Sequence, residues 1–254
     1  MRTEISRPDP TEAGPTRRAL DALWERHRHA GKRWLGLGIL RELALRNRFE
    51  LKPVDVRKVA RDVPRGAVPD CPSCPQICCG GLENVVSLRL SDLATLVDLG
   101  RTDLVSKLKP RFPEDLVAER PGLRDLSESY LWRSLPVLAQ LGPERRCAAL
   151  TRNLQCSLYP HWPISCERFP YTLTPDRRRV RWGTRCPTRK PRAHLHRDRS
   201  DALFEATLSA WNERIRDAVL LFHARAELER LGLGPWLCGP DETFTEAPGP
   251  LPVL

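Results

Sequence analysis

The sequence predicts an α+β fold in which small hairpins and loops gather around clustered cysteines, with helices on either side. Three observations carry that expectation. Eight of the nine cysteines fall into two groups, Cys71-x2-Cys74-x3-Cys78-Cys79 and Cys147-x8-Cys156-x9-Cys166, with Cys186 after the second. Short runs of β-branched and aromatic residues, divided by turn signals, surround the second group. Towards the C-terminus Phe204, Leu208, Trp211, Ile215, Ala218 and Phe222 recur every three or four residues, the stripe of an amphipathic helix.

The elements follow in order. Residues 1–16, with Pro8, Pro10, Gly14 and Pro15, read as a disordered lead-in, and one domain is expected over 17–238. Thr16 is placed to cap a helix reaching about His29, with Leu20, Leu23 and Trp24 as its apolar face. A second helix is expected over Leu35–Arg46, and a short one over Val54–Arg61 after Pro53. Val85–Leu90 reads as a strand; Ser91-Asp92 then cap a helix that Gly100 ends. Residues 101–125 read as short helix and loop, and Tyr130–Leu135 as a strand stopped by Pro136. Cys147–Leu150 and Leu154–Tyr159 are expected to pair about a turn at Thr151–Asn153. Pro160, Pro163 and Pro170 predict a tight non-helical path around Cys166. Tyr171–Leu173 and Val180–Trp182 flank a turn at Pro175-Asp176 and deliver Cys186. Ser200 is read as the cap of the longest helix, running to about Leu231, with Gly232 and Gly234 closing it. Residues 239–254 form a Pro-rich tail.

Composition narrows the function classes. The chain of 254 residues is long enough to bury a core, and no apolar run approaches the roughly 18 residues of a membrane span. No signal peptide is read at the start, so a reducing cytoplasm is expected, where clustered cysteines are metal ligands more often than disulfides. The formal charge of +10 rests on arginine, since only six lysines occur. Eight thiolates with two zinc ions would take that +10 to +6, and four thiolates around one 4Fe–4S cluster would take it to +8. Part of the arginine excess then compensates an anionic centre. Nothing resembles a P-loop, a Gly-x-Ser-x-Gly elbow or a Gly-x-Gly-x-x-Gly turn after a strand, and no acid–base machinery is identifiable.

The cysteine spacing carries the chemistry. Thiolates two or three residues apart sit at the tip of a tight loop and point at one centre, and soft sulfur selects zinc or iron–sulfur over hard cations. The candidate ligands are Cys71, Cys74, Cys78, Cys79, Cys147, Cys156, Cys166 and Cys186. Zinc wants four at about 2.0–2.3 Å, so two closed sites or one mixed site are open. A 4Fe–4S cluster using four of the eight is equally open. Side chains of adjacent residues in extended backbone point apart, so Cys78 and Cys79 serve different metals or one stands behind the other. Cys238 reads as a lone buried thiol. His161 reads as a loop residue near the site, His194 and His196 as part of a solvated basic linker, and His223 as the margin of the long helix. The runs Arg177–Arg179 and Arg189–Arg199 read as exposed turn and linker, with a phosphate grip as the bolder alternative.

The stretch Cys147-Ala-Ala-Leu to Cys156-Ser-Leu-Tyr-Pro-His-Trp-Pro-Ile-Ser-Cys166-Glu-Arg-Phe-Pro170, taken with the first group, resembles the signature of the YkgJ-like cysteine-cluster family. The resemblance covers about residues 71–190. It implies zinc or iron chelation, with Cys71, Cys74, Cys78 and Cys79 as the first motif and Cys147, Cys156 and Cys166 as the later one. Tyr159, Pro163, Phe169 and Pro170 are then its framework. The chain departs from that pattern in three places. Three residues, not two, precede the double cysteine; Trp162-Pro163 stands where the family has Arg-Pro; and Arg168 follows Cys166 by two positions instead of one. Flagellin lysine methylases carry a similar cysteine signature, so methyl transfer assisted by an iron–sulfur cluster is the implied analogue.

The expectation is therefore a metal-chelating protein. Its rivals are an iron–sulfur enzyme of redox or methyl-transfer type, and a basic, zinc-stabilised nucleic-acid-binding module.

Overall fold

Leu20 and Leu23 repeat at helical spacing, and the helix they define borrows its cap from elsewhere in the chain. In the computed structural model, which describes residues 13–28, 54–71, 85–108, 135–174, 176–183, 186–190 and 193–237, α1 spans Pro15–His27. Proline suits its first turn because the missing N–H would have had no partner there. Thr16 is not the cap: its own N–H donates to Asp98 Oδ1 at 2.8 Å, and that of Arg17 to Asp98 Oδ2 at 2.9 Å. Asp98 is the last residue of α2, Leu90–Asp98. One carboxylate thus satisfies two of the four orphan donors of α1 and sits at the positive end of its dipole.

α2 starts one residue before the expected cap. Arg89 precedes it, and Asp92 in its first turn reaches back to accept the Arg89 N–H at 2.8 Å. Its end is the one the sequence signalled. Gly100 takes φ +64°, the Arg101 N–H donates to Leu96 and that of Gly100 to Val97, which is a Schellman closure.

The expected strand over Val85–Leu90 shrinks to Val86–Leu88, which lies against Pro136–Leu138; residues 130–134 of the strand expected over Tyr130–Leu135 lie outside the described residues. β2 (Val105–Leu108), read as loop, pairs antiparallel with β3 (Leu135–Leu138). β3 runs through Pro136 instead of stopping at it. The Pro136 carbonyl accepts from the Leu88 N–H at 2.8 Å, so the missing donor faces the short Val86–Leu88 segment and not β2. β4 (Gln140–Leu141) and β5 (Arg146–Cys147) form a hairpin over Gly142, whose φ of +69° suits glycine. After α3 (Ile164–Glu167), β6 (Tyr171–Leu173) and β7 (Arg179–Trp182) make the predicted hairpin. The short helix expected over Val54–Arg61 divides into a 3-10 turn, Val56–Lys58, and a strand, β1 (Ala60–Asp62). β1 adds parallel to the free edge of β7, giving the sheet order β1-β7-β6.

The longest helix, α4, spans Arg197–His223, three residues ahead of the expected start. It breaks at Ala224 (φ −131°, ψ 27°), so α5 (Arg225–Arg230) is a separate element that Gly232, at φ +80°, closes as predicted. The expected helix over Leu35–Arg46 and the tail lie outside the described residues.

Two apolar cores hang on α4. One gathers Leu20, Leu23, Leu88, Leu93, Leu96, Leu158, Leu220 and Leu228. The other gathers Val63, Val68, Tyr171, Val180, Leu203 and Leu208 beneath the three-stranded sheet. Each fully buried leucine contributes roughly 1.5–3 kcal/mol over its exposed state.

Replacing Asp98 by Ala should lower stability by about 1–2 kcal/mol through loss of the α1 cap. A Cβ on Gly14 would overlap the Asp98 carboxylate. Gly14→Ala should therefore be destabilising in the native background and much less so beside Asp98→Ala. Denaturant unfolding of the two single variants and the double variant checks this; equal effects in both backgrounds would refute it.

Candidate metal centre

Of the predicted ligands, Cys71, Cys147, Cys156, Cys166 and Cys186 lie among the described residues, and none of these forms a disulfide. Cys74, Cys78 and Cys79, like Cys238, lie outside them. The described cysteines sit on three pieces of backbone, with Cys71 beside the third.

The first piece is the expected turn between Cys147 and Cys156. Leu150 pairs with Cys156 across it, the Ser157 N–H donates to Ala149, and that of Thr151 to Gln155, each at 2.8 Å. Leu154 takes φ 60° at the tip. Cys147 and Cys156, both half-buried, rest against the first core. Burial pushes the Cys147 thiol up, the nearby Cys156 thiol pushes the same way, and the amides of Ala149 and Leu150 pull it down. Amides aimed at sulfur favour thiolate, the form that ligates metal.

The second piece is α3, which carries Cys166. The proline-rich stretch was expected to be non-helical, yet Pro163 stands at the cap, where proline obstructs nothing, and Ile164–Glu167 makes one helical turn. Two side chains hold that turn. Asp92 Oδ1 accepts the Ile164 N–H at 3.0 Å, and the Ser165 hydroxyl donates to the Ser87 carbonyl at 2.7 Å.

The third piece is the turn after β7. Cys186 is buried, its Sγ 3.4 Å from the Thr188 carbonyl, while the Trp182 indole N–H donates to the Cys186 carbonyl at 2.7 Å. Beside it runs the segment that leads into Cys71. Pro69 pairs with Arg189, the Lys190 N–H donates to Val68 at 3.0 Å, and the Thr188 hydroxyl donates to Asp70 at 3.4 Å. Tyr171 ties the approach to Cys71 to α4, its fully buried hydroxyl sharing hydrogen bonds with the Ala67 carbonyl (2.7 Å) and Ser200 Oγ (2.8 Å). Ser200 therefore acts as a buried tie and not as a helix cap.

A feature that sequence reasoning missed surrounds α3. Arg89, only 7% exposed, pairs with Asp217 at 3.8 Å, and Asp217 also accepts the Leu90 N–H at 3.3 Å. Burial pushes Asp92 up to about 6 and Asp217 up to about 7, against the pull of Arg89. Burial likewise lowers Arg168 to about 10 and Arg214 to about 9, with Arg89 adding to both. The signal was present as Arg214 and Asp217, charged residues adjoining the apolar stripe of α4.

Among the described residues, no histidine completes a three-ligand set with the cysteines. His161 is half-buried, His196 stands at the start of α4, and His223 stacks on His27 with centroids 6.3 Å apart. The side chain of His194 lies outside the described set. Among the described residues, no three Cys, His, Asp or Glu side chains converge as a ligand set. By donor type the described cysteines suit a thiolate-bound metal, while at Cys147 burial outweighs the amides and leaves the thiol pushed up.

Two outcomes follow from this geometry. Tyr171→Phe orphans the Ala67 carbonyl and Ser200 hydroxyl and should cost about 1–3 kcal/mol of unfolding free energy. Asp217, raised from 3.8 to about 7 in the fold, contributes stability that is complete below pH 4 and is lost as the pH rises through 7. The stability gap between the native chain and Asp217→Asn should thus narrow from pH 5 to pH 7.5 in paired denaturant titrations; a widening gap would contradict it.

The chain matches no protein-family profile, no curated protein and no solved structure, so its own residues must carry its functional reading.

Proposed function

We propose that the chain is a thiolate metal-binding protein in which Cys71, Cys74, Cys78, Cys79, Cys147, Cys156, Cys166 and Cys186 hold zinc or an iron–sulfur cluster. One observation supports this reading above the others. The residues that flank the first cysteine group are tied to neighbours of the second: Asp70 to Thr188 beside Cys186, and Ser87 to Ser165 beside Cys166. The described backbone on either side of the first group thus reaches residues close in sequence to Cys186 and Cys166. The resemblance to the YkgJ-like family points the same way.

Zinc bound by four thiolates contributes folding free energy directly, on the order of 10 kcal/mol for small structural sites. An iron–sulfur cluster would add redox capacity, tuned by hydrogen bonds to its sulfurs. Both need reduced thiols, which the cytoplasm supplies, and we place the protein there. Among the described residues no helix is long and apolar enough to cross a membrane.

The test is elemental analysis and an absorption spectrum on protein purified without oxygen. Zinc with no visible colour, or iron with acid-labile sulfide and a broad visible band, would each support the reading and decide between its two forms. Cys156→Ser and Cys186→Ser should each lower metal content and melting temperature together. Protein that carries neither metal, and melts identically in both variants, would overturn it.

A further inference from the structure

The three-stranded sheet commits one face to a core and leaves the other open. Val180 and Tyr171, both at 0% exposure, point into the sheet core. Side chains alternate along a strand, so Arg179 and Arg181 of β7 stand on the opposite face, and both are exposed. β7 is the middle strand, which puts these two arginines along the centre of that face, their Cα atoms about 7 Å apart. Just beyond Arg181, the Arg189 guanidinium lies 4.5 Å from the centre of the Trp182 ring and carries positive charge to the end of the strand. Exposed Arg178 adds to it at the other end.

Their neighbours leave this charge largely uncompensated. Ala60 lies in register with Arg179, and Arg181 stands between Asp62 of β1 and Thr172 of β6. Among the described residues no carboxylate, Asp62 included, forms an ion pair with Arg178, Arg179 or Arg181. Asp176, at the hairpin tip, is held below the usual carboxylate range chiefly by the Thr174 hydroxyl and the Arg178 N–H, with the charges of Arg178 and Arg179 adding least. Asp55 pairs with Lys58 at 3.8 Å. Opposite charges set across strands contribute roughly 0.2–1 kcal/mol each, and like charges repel. A central strand whose outward positions are both unpaired arginines forgoes that gain.

We propose that this face, centred on Arg179 and Arg181 with Arg178 and Arg189 at its ends, docks the phosphate backbone of a nucleic acid. A guanidinium presents a rigid fork that matches two phosphate oxygens, and a row of forks along a strand matches a polymer with one phosphate per unit. Ala60 and Thr172 beside them are short, so the forks reach past them. Contacts of this kind position the backbone and read no base, so the binding is independent of sequence. A bilayer suits the face less well, because none of the exposed large apolar side chains belongs to its three strands. The inference does not rest on the metal-binding reading.

The experiment is fluorescence anisotropy on the full chain with two labelled probes of about 20 units, a mixed-sequence DNA duplex and a single-stranded RNA, between about 50 and 200 mM salt. At least one probe should bind, and contacts from the four arginines should give log K against log salt a slope of about −3 to −4. Arg179→Gln/Arg181→Gln should weaken binding about tenfold at low salt and flatten the slope by about 2. Its melting temperature should stay close to native, since both side chains stand in water. Arg26→Gln/Arg230→Gln removes the same charge from exposed positions on α1 and α5 and should keep most of the affinity. If the first double variant melts early, Arg178→Gln on the turn reads the same effect at about one unit of slope. Failure of both probes to bind at the lowest salt would overturn the proposal. So would an equal loss in the two double variants, because net charge and not this face would then carry the binding. Vesicles of phosphatidylserine and phosphatidylcholine that bind more tightly than either probe, and depend on Arg179 and Arg181, would overturn it in favour of a membrane surface.

Discussion

One buried carboxylate, that of Asp92, sets where the cysteine-bearing turn lies. One of its oxygens accepts the Arg89 N–H and the other accepts the Ile164 N–H, so the starts of α2 and α3 share a single acceptor. Two helix N-termini also present two positive dipole ends, which is how an acidic group is tolerated at 8% exposure. Without it, two buried amides would be orphaned at about 1–3 kcal/mol each. The consequence is positional. Fixing Ile164 fixes Ser165 against Ser87, and with it the distance in space between Cys166 and the residues that follow the first cysteine group.

α4 is the second constraint, because it serves both apolar cores. Leu203 and Leu208 join the sheet side, and Leu220 joins the helical side. Between these, residues Glu213, Arg214, Arg216 and Asp217 bring charge to the segment that joins the cores. An apolar set of similar volume would commonly give a fold at least as stable. Charge placed there restricts which surfaces fit against the helix, and α3 is the surface that fits.

Local signals were legible in the sequence, and long-range ones were not. Gly100 and Gly232 stop helices because each sits at positive φ, a requirement that a single residue declares. The β6–β7 hairpin and the Cys147–Cys156 turn are short-range pairings bounded by turn residues, and both form as read. β1 escaped because a three-residue strand gains its identity only from a parallel neighbour far along the chain. The α1 cap escaped for the same reason: Thr16 has the chemistry of a cap, but Asp98 reaches the amides first. Pro136 misled because a proline stops a strand only where its missing N–H faces a full partner. In the candidate centre, spacing named the thiols, while the Arg89–Asp217 pair emerged only once α2 and α4 were brought together.

The division of the cysteines between the two cores bears on what a metal would do. Cys147 and Cys156 rest on the helical core, whereas Cys186 and the approach to Cys71 run beside Val68 of the sheet core. Cys166 lies on α3, which packs against α4. On the proposed reading, a centre that drew thiolates from both sides would close long stretches of chain onto one point. Such a clip restrains the unfolded chain much as a crosslink does, and the restraint grows with the length closed. It would also couple the cores, so that opening of either one exposes thiolates of a shared centre. On that reading the loaded protein would unfold as one unit, and the metal-free protein would open core by core.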